Sequence, residues 1–145
     1  MLLPSDVKVH KNTPIYPGSN FTWGEATKNC TRVPQDLIIN GKLIIDGLNI
    51  EQNIVDTARK MDEYRAKLGN VPIKINSWYR PSSVNVRVGG SKYSRHQFGD
   101  ATDWVSDYFA PSQIARILEG NHNQGGYKAY RNFTHTDWRG NKARW

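Results

Sequence analysis

Three residues able to hold a metal ion constrain this chain more than any other feature, because they tie together segments that are distant in sequence. His96 and Asp103 flank a short run that contains Gly99, and His135 lies near the C-terminus. Two imidazoles and one carboxylate, with a fourth position left to water, form the ligand set of a catalytic zinc; structural zinc sites are usually closed by four protein ligands. Cys30 is the only cysteine, so a cysteine-rich structural site cannot form. The sequence therefore predicts an open zinc site.

The length of 145 residues fits one domain with a sizeable core. Prolines and polar residues dominate residues 1–20, which we expect to form an irregular N-terminal lead-in, and residues 21–145 should form a single domain. No apolar run is long enough to span a bilayer, and the N-terminus lacks the charged and apolar regions of a signal peptide. We therefore expect no membrane insertion and no processing of the chain as given.

The formal net charge of +7 favours an anionic partner. A nucleic acid, an anionic membrane surface and an acidic cell-wall polymer all qualify, and charge alone does not choose among them. The chain has no recognised nucleic-acid-binding motif and no stripe of interleaved basic and aromatic residues, so we do not expect a nucleic-acid partner. Cys30 has no partner for an internal disulfide, so folding does not depend on an oxidising compartment. We expect a monomer.

Apolar spacing predicts one long helix over residues 51–68. Its apolar positions recur at three- and four-residue intervals, and the pattern ends at residues 69–70, a Gly-Asn pair. Pro111 at a first helical position and Gly120 just past the end predict a second, shorter helix between them. Both helices should turn their apolar residues toward the core.

Alternation of apolar and polar residues indicates strands. The candidates are residues 71–76, 101–105, 126–131 and 133–138. The last two are joined closely enough at Asn132 to form a hairpin. Because side chains alternate along a strand, His135 and Asp137 should project from the same face.

Other parts of the chain are less regular. Thr22 and Glu25 have the spacing of a capping box, which predicts one helical turn. Proline and glycine interrupt residues 31–50, and the short apolar run within them fits neither a helix nor a strand clearly. Residues 82–95 resemble a polar loop.

Several short motifs occur together in a fixed order. They are Ser77-Trp78-Tyr79-Arg80-Pro81, Asn85, Ser94-x-His96-x-x-Gly99-x-Ala101-x-Asp103, Phe133-x-His135-x-Asp137 and Arg144-Trp145. This order resembles the zinc D-alanyl-D-alanine carboxypeptidase family of metallopeptidases over roughly residues 20–145. The resemblance implies the α+β fold shared with hedgehog signalling domains, a small antiparallel sheet with helices packed on one side. It also implies a zinc peptidase domain whose ligands are His96, Asp103 and His135.

The resemblance further implies a zinc-dependent peptidase whose partner is the peptide of peptidoglycan. Such an enzyme hydrolyses amide bonds of the wall peptide stem or cross-link, as a DD-carboxypeptidase, an endopeptidase or an endolysin-like enzyme. The alternative is a non-catalytic cell-wall-binding module that retains the fold. Either would act at the cell wall, and a chain without a signal peptide fits a phage or prophage lysis enzyme released through a membrane pore.

Catalysis in this family needs more than the metal, which activates water and polarises the carbonyl. By resemblance, Arg80 binds a substrate carboxylate. Ser94 is not expected to be a nucleophile, because a zinc-bound water fills that role, and we expect it to contact the substrate or stabilise a turn. Relatives often carry Glu or Asp three residues before the last histidine ligand, and here Asn132 stands at that place. Asp137 is the nearest alternative, either as general base or as the residue that orients an imidazole, and both roles stay open.

Each candidate also has an ordinary interpretation. A lone histidine in a loop or strand and a lone aspartate in a turn are usually structural, and Arg80 could simply stack on the aromatic rings beside it. The joint order of the three candidate ligands favours the metal site. His10 and His122 are not part of a motif with other candidate ligands, and we interpret both as surface residues.

Overall fold

Four helices and two small sheets make up the chain, which confirms the α+β fold class. The computed structural model describes residues 1–145. In chain order the elements are α1 (Trp23–Ala26), β1 (Leu37–Ile39), β2 (Lys42–Ile45), α2 (Gly47–Lys67), β3 (Ile73–Ser77), α3 (Ser82–Arg87), a 3-10 turn (Arg95–Phe98), β4 (Ala101–Ser106), α4 (Pro111–Leu118), β5 (Gly126–Ala129), β6 (Thr134–Asp137) and β7 (Ala143–Arg144). None of the helices has both the length and the apolar character needed to cross a membrane.

The larger sheet has five strands in the order β3-β4-β6-β5-β7. All neighbours are antiparallel except β5 and the two-residue β7, which are parallel. In the central pair, Asp103 of β4 lies opposite His135 of β6, and Thr102 lies opposite Thr136. Because side chains alternate between the two faces of a sheet, these two pairs project from opposite faces. The threonine face packs on the core, and the other face is left for a site.

Helix α2 supplies the core that covers the threonine face. Its residues Ile54 and Met61 are fully buried, and the Met61 sulfur lies 3.3 Å from the Thr102 hydroxyl. The helix begins at Gly47, four residues before the predicted start at 51, because the Asp46 side chain caps it by accepting from the Asn49 N–H at 2.8 Å. The sheet and α2 thus share one core beneath β4 and β6.

Regular structure occurs in two segments for which the sequence predicted none. Within residues 31–50, β1 and β2 form a hairpin around Asn40 and Gly41, whose φ angles of 52° and 75° suit a two-residue hairpin turn. The prediction of a loop over residues 82–95 was wrong in part, because residues 82–87 form α3. Helix α3 follows Pro81, whose extended backbone leads directly into the first turn.

The lead-in, residues 1–20, contains no helix or strand and only isolated bridge pairs. Its apolar side chains nevertheless pack in the core, where Leu3, Val9 and Ile15 are buried. The segment is also bound to α2, because Asp62 accepts hydrogen bonds from the Tyr16 and Ser19 hydroxyls at 2.5 and 2.7 Å. The lead-in therefore packs as part of the folded unit.

Candidate metal centre

The three predicted metal ligands meet on the face of the sheet opposite α2. Asp103 and His135 are direct neighbours across β4 and β6, and His96 enters from the 3-10 turn before β4. Gly99 ends that turn at a φ of 77°, and a Cβ there would come within 3.0 Å of the Ile50 carbonyl. The nearest potential ligand atoms of His96, Asp103 and His135 all lie within 4.8 Å of one another. The fold thus gathers a group that could hold a metal ion.

His96 is buried and held in one tautomer. Its Nδ1 lies 2.6 Å from the main-chain carbonyl of Trp78, and a carbonyl oxygen can only accept, so Nδ1 carries the proton. The other nitrogen, Nε2, is then free of a proton in the neutral ring and lies 3.2 Å from Asp103 Oδ2. A histidine fixed by such a carbonyl contact presents a lone pair to the site.

His135 lies between two carboxylates. Its Nδ1 is 2.8 Å from Asp103 Oδ1, and its Nε2 is 2.9 Å from Asp137 Oδ2. Burial alone would lower the pKa of His135, but the hydrogen bonds to the two aspartates outweigh it and raise the pKa overall. Nε2–H donates to Asp137, while Nδ1 faces Asp103 and His96 and would give up its proton to a metal ion bound there. The ring is therefore turned to offer Nδ1 to the site.

Asp103 supplies the negative charge of the group. Burial raises the pKa of its carboxyl, but the two neighbouring imidazoles, His135 and His96, hold the pKa well below its usual range. Arg80 adds a more distant cation, with its NH2 3.8 Å from Asp103 Oδ2. An ionised carboxylate beside two imidazole nitrogens is a donor set suited to zinc, and the residues present fit that ion.

Asp137 is fully buried, and both of its carboxylate oxygens are occupied. Oδ1 accepts from the Gly126 N–H at 3.0 Å and from Arg139 Nε at 2.8 Å, while Oδ2 accepts from Arg139 NH2 at 2.6 Å and from His135. Burial raises the pKa of this carboxyl, but the bonds from Arg139 and His135 lower it well below its usual range. Its position is that of a residue that holds the His135 ring.

A cleft of about 560 Å³ opens beside the three candidate ligands. The side chains that line it include Arg80, Ser94, Arg95, Tyr130, Phe133, Arg139 and Trp145. Arg95 is paired with Asp100 and Arg139 with Asp137, so their charges are largely compensated. Arg80 has a long bond of 3.4 Å to Asn85, and its buried Nε has no partner. Among the three arginines, Arg80 is the one without a close carboxylate partner, since its nearest carboxylate oxygen, Asp103 Oδ2, lies 3.8 Å away.

Ser94, a predicted substrate contact, and Asn132, which stands where relatives often carry an acidic residue, lie in different surroundings. Ser94 lines the cleft and precedes the 3-10 turn, where its hydroxyl accepts from the His96 N–H at 3.3 Å. Asn132 lies instead beside a separate pocket, next to Trp104 and Thr134. The only carboxylate among the residues that line the cleft is Asp103. The cleft therefore contains no acidic side chain beyond a candidate metal ligand.

The sequence analysis placed His122 wrongly and gave no role to the four aromatic side chains that line the cleft, Tyr93, Tyr130, Phe133 and Trp145. His122 is 2% exposed, so its interpretation as a surface residue was wrong. Tyr130 and Phe133 stack with ring centroids 4.5 Å apart, and the Trp145 ring lies edge to face with His135 at 5.5 Å. The contact between Tyr130 and Phe133 could have been predicted from the sequence, because the two residues lie on either side of the predicted hairpin turn at Asn132.

Comparisons with known proteins agree with this geometry. A family profile described as Peptidase M15 matches residues 19–137, a segment that contains all three candidate ligands. A zinc D-Ala-D-Ala carboxypeptidase of Streptomyces albus G is 32% identical over 87 residues, which is 57% of this chain and 34% of the relative. The chain thus spans about a third of the length of that relative. The zinc cofactor predicted from the sequence agrees with both findings and with the His-Asp-His group.

Proposed function

Because the chain belongs to the peptidase M15 family, as the order of its motifs predicted, we propose that it is a zinc peptidase that hydrolyses amide bonds in peptidoglycan peptides. The observation that carries this proposal is the group of His96, Asp103 and His135 at one side of an open, basic cleft. The relative from Streptomyces albus G bears the name of a carboxypeptidase for D-Ala-D-Ala. The proposed substrate places the action of this protein at the cell wall.

The protein's own side chains hold and orient the zinc ligands. His96, Asp103 and His135 would hold the ion; the Trp78 carbonyl fixes the first imidazole, and Asp137 fixes the second. Bound zinc supplies Lewis-acid polarisation of a carbonyl and acidification of water. Since neither supporting contact uses the nitrogen that faces the site, both imidazoles can turn that nitrogen to the metal.

Arg80 binds a carboxylate of the substrate in this proposal. Its guanidinium lies 3.8 Å from Asp103 and makes only a long bond of 3.4 Å to Asn85, so its terminal nitrogens can donate to a substrate carboxylate. A planar fork of N–H donors suits two parallel bonds to a carboxylate. The closeness to Asp103 favours a substrate whose free carboxylate belongs to the residue released by hydrolysis. Ser94, at the cleft wall, adds a hydroxyl next to that position.

Asp137 serves as the residue that orients His135. Its carboxylate is fully buried and already accepts from His135, Gly126 and Arg139, which leaves no free lone pair facing the cleft. A general base must come within hydrogen-bond reach of the proton that it takes. The saturation of Asp137 thus supports the orienting role over the role of base.

The absence of a free acidic side chain in the cleft favours a second candidate function. A protein that kept the cleft and its metal without turnover would be a cell-wall-binding module, and Asp103 is the only carboxylate that lines the cleft. Such a module would bind peptidoglycan through the same Arg80 donors. The two candidates differ in whether products appear, not in where the ligand binds.

Digestion of purified, cross-linked peptidoglycan separates these functions. The zinc-loaded protein should release D-alanine, or convert cross-linked muropeptides to monomers, and mass spectrometry of the soluble products distinguishes the two bonds. A His96→Ala variant and a chelated sample are the negative controls. Sedimentation of the protein with the wall but no product in any sample would establish binding without hydrolysis. Neither binding nor product would contradict both candidates.

A further inference from the structure

His122 is a buried histidine to which the proposed mechanism assigns no role. Its Nε2 lies 2.7 Å from the main-chain carbonyl of Asp137, and its Nδ1 lies 2.5 Å from the hydroxyl of Tyr64. Because the carbonyl can only accept, Nε2 carries the proton, and Nδ1 accepts from the tyrosine. Burial lowers the pKa of His122, which agrees with a neutral ring. A directional chain of hydrogen bonds thus runs from Tyr64 through His122 to Asp137.

The backbone around Asp137 is shaped to admit this chain. A Cβ at Gly125 would lie 1.7 Å from the Asp137 carbonyl oxygen and 2.8 Å from His122 Nε2. A Cβ at Gly126 would lie 2.9 Å from Asp137 Oδ2. Any larger residue at these two positions would displace the carbonyl contact or the carboxylate. Glycine is therefore required at both positions for His122 to reach the Asp137 carbonyl and for the Asp137 carboxylate to keep its place.

Both ends of the chain are anchored. Tyr64 belongs to α2, the central core helix, and is itself buried. The segment that carries His122 is clamped by Arg144, whose NH2 donates to the His122 carbonyl at 2.8 Å and whose NH1 donates to the Gly125 carbonyl at 3.1 Å. The imidazole of His122 is therefore held between α2 and the segment bonded to Arg144.

We propose that Tyr64 and His122, here called the positioning pair, set the geometry of the metal centre by fixing the backbone of Asp137. The carboxylate of that residue in turn holds His135 with its Nδ1 toward Asp103. Both residues act through Asp137 and touch neither the metal ligands nor the cleft. This inference rests on the zinc site of the proposed function.

Packing alone would not require this arrangement. A buried polar group is costly unless its hydrogen bonds are satisfied, and an apolar side chain could fill the same volume between α2 and β6 without that requirement. A hydrogen bond differs from an apolar contact in fixing direction as well as distance. Here the hydrogen bond from His122 fixes the direction of the Asp137 carbonyl, which lies two residues after the candidate zinc ligand His135 on the same strand.

The test variant is Tyr64→Phe, which removes the hydroxyl and keeps the ring. The matched control is Tyr127→Phe, since the Tyr127 ring also packs edge to face on His122 but its hydroxyl bonds to the exposed Glu119. Zinc affinity, measured by competition with a chelating dye, should fall roughly tenfold in Tyr64→Phe, the lower end for loss of a supporting partner. The control should keep wild-type affinity. Equal affinities in both variants, or equal losses, would overturn the proposal.

A second readout does not depend on bound metal or on activity. Nitrogen-15 spectra of the metal-free protein should show His122 protonated at Nε2, and should show a protected Nε2–H on His135. In Tyr64→Phe the His122 tautomer should become mixed and the His135 signal should exchange faster. A His122 ring protonated at Nδ1 in the wild type would contradict the assigned chain. An unchanged His135 signal in the folded variant would contradict the positioning role.

Rescue separates positioning from folding. His122→Gln retains an N–H that can donate to the Asp137 carbonyl, whereas His122→Leu retains only volume. Zinc affinity should be higher in His122→Gln than in His122→Leu when both melt cooperatively, and the reverse order would count against the proposal. Failure of the proposed function can be distinguished from failure of this inference. If the wild-type protein binds zinc but releases no wall product, the zinc affinities and the nitrogen-15 spectra still test the positioning pair. If the wild type binds no zinc, the nitrogen-15 signals of His122 and His135 in the metal-free protein still show whether Tyr64 and His122 position His135.

Discussion

At Asp103, one carboxylate interacts with two imidazoles and a guanidinium. Its oxygens lie 2.8 Å from His135 Nδ1 and 3.2 Å from His96 Nε2, and Arg80 NH2 lies at 3.8 Å. These contacts hold the pKa of the carboxyl well below its usual range despite burial. A carboxylate oxygen between two imidazole nitrogens is a donor set that suits a divalent cation such as zinc.

Asp103→Ala should therefore abolish stoichiometric zinc binding. The wild type should hold one zinc per chain by elemental analysis, and the variant should lose most of it because two imidazoles alone make a weak site. Asp107→Ala is the matched control, since Asp107 is an exposed aspartate four residues along the chain. Full zinc content in Asp103→Ala would remove this residue from the ligand set.

Asp137→Asn tests orientation against base catalysis. The substitution keeps the shape but weakens the acceptor that holds His135 Nε2–H, so zinc affinity should fall by roughly ten- to a hundredfold. Asp100→Asn is the control, because Asp100 is also a buried aspartate paired with an arginine but contacts no histidine. Full zinc affinity combined with a loss of hydrolysis of roughly a hundredfold or more would instead identify Asp137 as the general base.

Arg80→Lys tests recognition of the substrate carboxylate. The lysine keeps one positive charge but loses the fork of donors, so kcat/KM on peptidoglycan peptides should fall by at least roughly tenfold while the melting temperature stays nearly constant. Arg87→Lys, on the exposed side of α3, is the comparison variant. A large drop in melting temperature with unchanged activity per folded molecule would make Arg80 a structural residue.

At the scale of the elements, the central strands could be predicted because alternation of apolar and polar residues indicates both the strand itself and the face on which each side chain lies. Alternation along β6 places His135 on one face and Thr136 on the other, and the same rule applies to Asp103 and Thr102 of β4. The sequence therefore predicted which side chains share a face. It did not predict that Thr136 would accept from Trp104 Nε1 at 3.0 Å, because that bond depends on how the core closes.

Helix α2 gives a second example, at its contact with the lead-in. Asp62 accepts from the Tyr16 and Ser19 hydroxyls and from both the N–H and the side chain of Asn20. Burial raises the pKa of Asp62, but these hydrogen bonds outweigh it and lower the pKa overall. Helical spacing identifies the inward apolar residues of α2, whereas nothing in the sequence pattern identifies this polar contact across 42 residues.

Asp62→Asn should lower the free energy of unfolding at neutral pH by about 1–2 kcal/mol, because several charge-assisted bonds are lost at a half-exposed position. Asp56→Asn is the control on the same helix, since Asp56 bonds only to the exposed Gln52. A lowered folded-state pKa stabilises the protein above the unfolded pKa and loses that effect as pH falls. The difference between wild type and Asp62→Asn in urea unfolding should therefore shrink below about pH 4, and a difference that persists at lower pH would contradict the assignment.

For the whole molecule, the sequence predicted the fold class, the long helix and the meeting of the three candidate ligands. The long helix follows from periodicity, whereas the fold class was implied by the family resemblance that the motifs carry, and the ligand set follows from those same motifs. The same sequence misplaced His122, because a histidine in a turn-rich segment resembles a surface residue until tertiary packing sets Tyr64 and Asp137 against it. Burial of a polar residue depends on partners far along the chain, and no local pattern encodes it.

The molecule as a whole should be stabilised by zinc. The ligands are already gathered without the ion: the Trp78 carbonyl holds His96, and Asp137 holds His135, so binding needs little rearrangement. A ligand that binds only the folded state at a hundred times its dissociation constant stabilises that state by about 2.7 kcal/mol. For a chain of this size such a gain corresponds to roughly 5–10 °C in melting temperature.

Calorimetry of metal-free wild-type protein with and without added zinc measures this shift. Asp103→Ala, which lacks the anionic ligand, should melt at the same temperature with and without zinc, and magnesium should leave the wild type unchanged because a site with two imidazole donors does not suit it. An equal zinc-dependent rise in the wild type and in Asp103→Ala would mean that the ion stabilises the fold from another place. Because the measurement needs no substrate, it tests the metal centre independently of the proposed hydrolysis: a zinc-stabilised protein without activity would still contain the site assembled by β4, β6 and the 3-10 turn.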